Sequence, residues 1–96
     1  MIKNSNDLGE HIFSFATISD THVNHGEEIS NSAFAVNKRA NRRFRSIIAD
    51  LSRRDISFVI HLGDLVHPVP DAGILYTQAA EAYREIEANL NVPISY

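Results

Sequence analysis

Two carboxylates and an imidazole stand directly after two apolar segments and are the side chains of this sequence best suited to chemistry. Asp20 and His22 follow the first apolar segment, and Asp64 follows Gly63 after the second. A carboxylate and an imidazole two positions apart in extended chain point the same way, so both can reach one cation. Oxygen and nitrogen donors without sulfur suit Mn, Fe, Zn or similar divalent ions. We therefore interpret Asp20, His22 and Asp64 as candidate metal ligands.

Each motif is weak when it is considered alone. Asp-x-His is more often a surface turn than a metal site, and Gly-Asp after a strand is common turn chemistry. Their placement favours a site, because ligands of open α/β sheets bind beyond the carboxyl ends of parallel strands. A glycine at position 63 also fits a sharp turn that leaves room close to a metal.

The elements that must position these residues alternate between strand and helix. Apolar and β-branched runs predict strands at 11–19, 56–62 and 92–96, and helical spacing predicts amphipathic helices at 38–54 and 75–90. The order β-α-β-α-β predicts an α/β fold with parallel strands and right-handed crossovers. Ser30 or Asn31 is expected to cap a short helical turn in the loop 21–36, and Asn91 is expected to end the second helix.

Size and composition exclude several classes of protein. Ninety-six residues make one domain at most, and the chain has no cysteine, which excludes disulfides, thiolate metal sites and cysteine nucleophiles. The net charge of -3 argues against bulk attraction to nucleic acid or anionic lipid. The polar N-terminal segment 1–10 lacks the apolar stretch of a signal peptide, and no apolar run is long enough to span a bilayer. We expect a cytoplasmic protein without a membrane partner.

Seven of the nine basic residues lie between Lys38 and Arg54, which raises the question of phosphate or nucleic-acid binding. A helix packed on a sheet must present one face to water, and charge on that face usually serves solvation. We also expect this helix to start away from the strand ends that carry the candidate ligands. For both reasons a nucleic-acid partner is not predicted. The basic face consists of Lys38, Arg39, Arg42, Arg43 and Arg45.

Two segments resemble the first two motif blocks of calcineurin-like metallophosphoesterases. They are Ile18-Ser19-Asp20-Thr21-His22 and His61-Leu62-Gly63-Asp64-Leu65-Val66-His67. The family pattern is Asp-x-His, Gly-Asp, then Gly-Asn-His-Asp or Gly-Asn-His-Glu, and later histidines. The resemblance runs from Phe13 to Tyr96. It implies that residues 1–96 are the N-terminal β-α-β-α-β part of a four-layer α/β/β/α sandwich that stops before the Gly-Asn-His block.

The resemblance also implies a reaction. Asp20 and His22 would bind the first of two divalent ions (Mn, Fe or Zn), and Asp64 would bridge both. The ions would activate a water that attacks a phosphomonoester or phosphodiester in line. The remaining ligands and the leaving-group histidine are expected beyond Tyr96, so no catalytic residue is predicted within the chain. At most one weakly bound ion and little activity are expected from these 96 residues alone.

An alternative from another class remains open. The chain would then be a non-catalytic binding or regulatory module that keeps the fold without the full metal site. Its unfinished sheet edge at Tyr96 would offer a strand for pairing with another chain or a second copy.

Four further histidines have separate interpretations. His61 lies inside an apolar strand and is expected to be packed and hydrogen-bonded rather than a ligand. His67 follows Asp64 closely enough to approach the ligands or the substrate. His25 is expected to be exposed in a polar loop, and His11 offers no functional argument.

Overall fold

The structure is a computed structural model that describes residues 10–96, so the polar N-terminal segment lies almost wholly outside the described part. Three strands alternate with two helices in the predicted order. The strands are β1 (Ala16–Ile18), β2 (Val59–His61) and β3 (Ile94–Ser95), and the helices are α1 (Ala40–Ser52) and α2 (Ile74–Glu87). Two short 3₁₀ turns, Ala35–Arg39 and Pro70–Ala72, precede the two helices.

The sheet is parallel, as predicted, with β2 in its centre. Ala16 pairs with Val59, and Val59 pairs in turn with Ile94. The strands occupy the predicted places but are several residues shorter than predicted. Only three, three and two residues are paired as strands, and most of the predicted residues that remain unpaired precede the strands, at 11–15, 56–58 and 92–93. Strand propensity located the strands, but pairing with the neighbour sets their length.

The helices bury one apolar stripe each and pack against one another. Phe44 and Ile48 of α1 and Tyr83 and Ile86 of α2 form the core, and Ile18 of β1 packs against them. The rings of Phe44 and Tyr83 are stacked with centroids 4.9 Å apart. Burying a side chain of this size contributes roughly 1.5–3 kcal/mol. Both helices therefore cover the same face of the sheet, which orients β1 and β2 for the site.

The ends of the helices differ from the predictions. Neither Ser30 nor Asn31 caps the first helical turn, which starts after Phe34 without a side-chain cap. Ser30 instead accepts a local hydrogen bond from the amide of Ser32, a turn contact that competes with capping. α2 ends at Glu87 rather than at Asn91, whose side chain donates to the carbonyl of Ser52 at 2.9 Å.

The other face of the sheet is apolar and open among residues 10–96. Phe13, Phe15 and Leu62 are 52%, 48% and 69% exposed. The rings of Phe15 and Phe58 stack with centroids 4.9 Å apart. Side chains alternate across a strand, so these residues point away from the helices. No helix of the described part is long and apolar enough to cross a membrane.

Candidate metal centre

The chain segments that follow β1 and β2 continue side by side beyond the sheet. Three backbone hydrogen bonds join them, from the amides of Asp20, His22 and Val23 to the carbonyls of Gly63, Asp64 and Leu65, at 3.0, 3.1 and 3.0 Å. A parallel bridge between Val23 and Val66 extends this contact further. The two motifs are thus held together by backbone hydrogen bonds, independently of the chemistry of their side chains.

This arrangement brings the three predicted ligands together. One ligand atom from each of Asp20, His22 and Asp64 lies within 4.8 Å of the others, and His22 Nε2 is 3.4 Å from Asp20 Oδ1. A first-row divalent ion bound at about 2.0–2.2 Å requires ligand atoms no more than about 4.4 Å apart. The group therefore needs side-chain adjustments of a few tenths of an ångström to hold such an ion. Its oxygen and nitrogen donors also fit the ions named above.

The backbone of all three candidate ligands is left-handed. The φ angles of Asp20, His22 and Asp64 are 55°, 47° and 56°, and among residues 10–96 the only other non-glycine residue with positive φ is Glu28. Such conformations cost of order 1–3 kcal/mol and persist where the surroundings impose them, often at functional sites. From the sequence, Asp20 and His22 were expected to lie in extended chain. The structure instead turns at both Asp20 and His22, which leaves Thr21 between them pointing inward.

A buried hydrogen-bonded chain holds Thr21 in place. Thr21 Oγ1 lies 3.0 Å from His61 Nε2 and donates to the Leu65 carbonyl at 2.9 Å. The amide of Gly63 donates to His61 Nδ1 at 3.0 Å. Because an amide only donates, Nδ1 accepts, and Nε2 carries the proton that it shares with Thr21. Burial lowers the pKa of His61, against the opposing effect of Asp20 and Asp64, which favours this neutral ring.

His61 accordingly uses both ring nitrogens for protein contacts and lies outside the group of ligand atoms. This is the packed, hydrogen-bonded role expected from its place in the strand. Its effect on the site is positional, since it links the turn after β2 to the turn after β1.

Gly63 has a φ of 125°, a conformation that side chains rarely adopt. Apart from Gly63 itself and its two chain neighbours, no atom of residues 10–96 lies within 4 Å of the position where a Cβ would stand. The turn conformation, and not crowding by protein atoms, therefore requires glycine at this position.

The charge of Asp20 is also suited to a cation. Hydrogen bonding by Ser19, then by Asp64, lowers the pKa of Asp20, and the neighbouring His22 lowers it further. The carboxylate is ionised at neutral pH, which is the form that binds a metal.

An open groove runs along one side of the ligand group. Its volume is about 510 Å³, and its walls include His22, Asp64, His67 and Tyr76. The rings of His22 and His67 have centroids 6.3 Å apart. His67 is not among the clustered ligand atoms but faces the same groove. Its predicted role toward the ligands or the substrate stays a prediction, and the geometry is compatible with it.

The other two histidines lie differently. His25 is half-buried, whereas the sequence argument expected it to be exposed, and its Nδ1 is buried without a hydrogen-bond partner in residues 10–96. His11 is exposed and lies within 2.8 Å of the Ser14 hydroxyl, apart from the candidate ligands.

A pair of buried asparagines, which the sequence pattern did not indicate, lies next to the site. The Asn24 amide donates to Asn41 Oδ1 at 2.7 Å, and Asn41 Nδ2 donates to the Asn24 carbonyl at 3.2 Å. This pair fastens the start of α1 to the loop that follows His22. The expectation that α1 starts away from the strand ends is therefore wrong. A polar residue at position 41, in register with the buried positions 44 and 48, was the available clue.

Comparison with protein-family models, with curated proteins and with solved structures finds no match to this chain. The structure itself defines the class: a small α/β fold of three parallel strands and two helices. At the carboxyl edge of its sheet lies an Asp-His-Asp group that could hold a metal ion.

Proposed function

We propose that this chain carries the first two metal-binding motifs of a calcineurin-like phosphate-ester hydrolase. One observation carries the proposal: Asp20, His22 and Asp64 come from two strand ends, share a left-handed backbone and gather their ligand atoms within 4.8 Å. Asp20 and His22 would hold one ion, and Asp64 would use its second oxygen for another. Mn, Fe and Zn suit this donor set.

Each part of the chain has a task in this proposal. Bound divalent ions supply Lewis-acid polarisation of a phosphate ester and an activated water nucleophile. Thr21 and His61 add a buried side-chain link between the two motifs. The groove beside His67 gives a phosphate ester access to the ligand group from solvent.

The open apolar face of the sheet supports the finer architecture. In a four-layer α/β/β/α sandwich, one face of each sheet carries helices and the other packs on a second sheet about 10 Å away. Phe15, Phe58 and Leu62 present such a face. We propose that it packs against a second sheet in the complete domain.

The second candidate is the non-catalytic binding or regulatory module. The ligand count of residues 10–96 favours it, because the clustered ligands serve one ion and Asp64 alone would serve a second. A single carboxylate does not hold a divalent ion against water. Under this proposal the chain binds metal weakly and hydrolyses nothing.

Metal titration separates these proposals from a purely structural role. Free Mn²⁺ is followed by electron paramagnetic resonance while protein is added, and hydrolysis of an aryl phosphodiester is assayed in parallel. Asp64→Asn should abolish Mn²⁺ binding. Asp55→Asn is the same change before β2, at the amino ends of the strands, and should leave Mn²⁺ binding unaltered. Absence of Mn²⁺ binding to the folded protein would overturn both proposals.

The rate of phosphodiester hydrolysis and the gene sequence after Tyr96 then decide between the hydrolase and the non-catalytic module. Hydrolysis above the buffer rate that is lost in Asp64→Asn supports the hydrolase directly. The hydrolase proposal also expects Gly-Asn-His to be encoded shortly after Tyr96. Metal binding without turnover, together with a stop codon directly after Tyr96, would establish the module instead.

A further inference from the structure

A groove lined by basic side chains lies at the start of α1 and differs in chemistry from the candidate metal centre. This open groove has a volume of about 740 Å³ and lies between the loop 28–36 and the start of α1. Four basic side chains and one acidic one line it, a local charge of +3 on a chain whose net charge is -3. They are Lys38, Arg39, Arg42, Arg43 and Glu28.

Within residues 10–96, three of the four basic side chains of the groove have no carboxylate partner. Glu28 pairs with Arg42, and Arg43 Nη1 donates to the Val36 carbonyl at 2.8 Å. Lys38 and Arg39 have no carboxylate within 4.0 Å among residues 10–96. In the part of the chain that the structure describes, Lys38 and Arg39 are thus unpaired, and a backbone carbonyl fixes the side chain of Arg43.

The other end of α1 shows what ordinary surface charge looks like in this protein. Arg53 and Arg54 both pair with Asp50, at 3.7 and 2.7 Å. At the groove, by contrast, Lys38 and Arg42 are four residues apart, as are Arg39 and Arg43. Like charges at this helical spacing repel one another, and among residues 10–96 only Arg42 of the four pairs with a carboxylate, that of Glu28.

We propose that this groove binds a small anion carrying more than one phosphate group. Guanidinium groups bind phosphate oxygens through two parallel hydrogen bonds, and lysine adds a point charge. Lys38 and Arg39 would make new contacts, while Val36 already holds Arg43 in place. None of these residues is a candidate metal ligand, so the site goes beyond the proposed hydrolysis and does not depend on it.

The charge distribution favours a small anion over a nucleic acid. An extended polyanion needs a basic stripe that follows its backbone. Here four of the nine basic residues line one groove, with Glu28 in its wall and Glu27 next to it in sequence, and the chain as a whole is negative. The long-range field therefore repels a strand of nucleic acid, while the groove attracts a compact anion.

The test uses inorganic triphosphate in a buffer that contains EDTA, so that metal binding plays no part. Titration is followed by amide chemical shifts of ¹⁵N-labelled protein. Saturable shifts should appear at residues 36–43. Replacing Lys38 and Arg39 together by Gln should weaken the affinity roughly tenfold, because it removes charged hydrogen bonds.

Two controls separate a specific groove from general charge. The double change Arg53→Gln with Arg54→Gln removes the same charge from the other end of α1 and should leave the affinity nearly unchanged. Glu28→Gln removes the one opposing carboxylate and should raise it. Asp64→Asn should bind triphosphate like the unaltered protein, even if the proposed metal site fails.

Three outcomes would overturn the proposal in the first instance, and a fourth concerns the Glu28→Gln variant. They are the absence of saturable shifts, an equal loss of affinity in the two double variants, or tighter binding of a single-stranded oligonucleotide than of triphosphate with a steeper salt dependence. If the Lys38 and Arg39 variant lost its native spectrum, the Glu28→Gln variant would decide. Unchanged or weaker binding in that variant would contradict the proposal.

Discussion

The Thr21 hydroxyl and the His61 imidazole meet in a buried hydrogen bond of 3.0 Å across 40 residues of sequence. Thr21 stands between Asp20 and His22, and His61 stands three residues before Asp64. The contact therefore adds a buried side-chain link to the three backbone hydrogen bonds that join the two motifs. Its loss should be felt both in stability and in metal binding.

Thr21→Val tests this relationship, because it removes the hydroxyl and keeps the shape. The change leaves the buried ring N–H of His61 without a partner, while the Leu65 carbonyl keeps its hydrogen bond from the Val23 amide. We expect the free energy of unfolding to fall by about 1–3 kcal/mol, measured by urea denaturation. Thr77→Val is the control, since the exposed Thr77 hydroxyl makes only a 3.5 Å contact, and it should change stability by less than about 0.5 kcal/mol. Equal losses in the two variants would argue against a special role for Thr21.

Metal binding should stabilise the protein through Asp20. At a Mn²⁺ concentration ten times the dissociation constant, the gain is about 1.4 kcal/mol, which raises the melting temperature of a domain this small by roughly 6–11 °C. Differential scanning fluorimetry measures this shift. It should disappear in Asp20→Asn and on addition of EDTA, and persist in Asp55→Asn. A shift of the same size in Asp20→Asn would place the ion elsewhere.

Glu27 should contribute to stability in a manner that depends on pH. Hydrogen bonding by Arg45, then by Asn41, lowers the pKa of Glu27 below its ordinary value of 4.5. The folded protein then binds fewer protons than the unfolded chain, so the contribution is complete above pH 4.5 and is lost as the pH falls through the folded-state pKa. Because the side chain is 56% exposed, its size should stay below about 1 kcal/mol.

Urea unfolding at neutral pH and near pH 3 checks this expectation. Glu27→Gln should be less stable at neutral pH and lose less stability on acidification. Glu81→Gln is the control, because Glu81 is exposed and has no ion pair among the described residues. A similar pH profile in the two variants would show that the Arg45 contact contributes nothing measurable.

Self-association through the open sheet face should depend on Leu62. Leu62 and Ile74 are exposed to similar extents, 69% and 67%, but only Leu62 lies on the apolar sheet face. Leu62→Ser should weaken association about tenfold or more, because burial of such a side chain contributes roughly 1.5–3 kcal/mol. Ile74→Ser should not. Sedimentation velocity over a concentration series measures both, and equal effects would exclude the sheet face as the contact.

Much of the fold was predictable from local pattern. Helical spacing located α1 and α2, apolar runs located the strands, and parallel topology explains why Asp20 and Asp64 meet at one edge. These predictions succeed because periodicity reports which side of an element is buried. The four-layer sandwich stays a prediction, since it concerns contacts that residues 10–96 do not contain.

The finer features of the site were not predictable in this way. Periodicity carries no information on φ, so the left-handed backbone at His22 could not be foreseen. The Asn24–Asn41 pair depends on how one loop crosses one helix, and Asn41 looks like an ordinary polar residue until that crossing is known. The predicted strand ends were wrong for a related reason, because strand ends depend on pairing partners far away in sequence.

The contact between Thr21 and Leu65 spans 44 residues, and this has a consequence for how the protein is made. During synthesis, the first motif leaves the ribosome long before the second. Until β2 has docked beside β1, neither the inward turn at Thr21 nor the grouping of ligand atoms exists. Binding of a metal ion by the proposed site would thus depend on a non-local folding step, which is slow compared with helix formation. A nascent chain that has exposed only its first motif has no such site to offer.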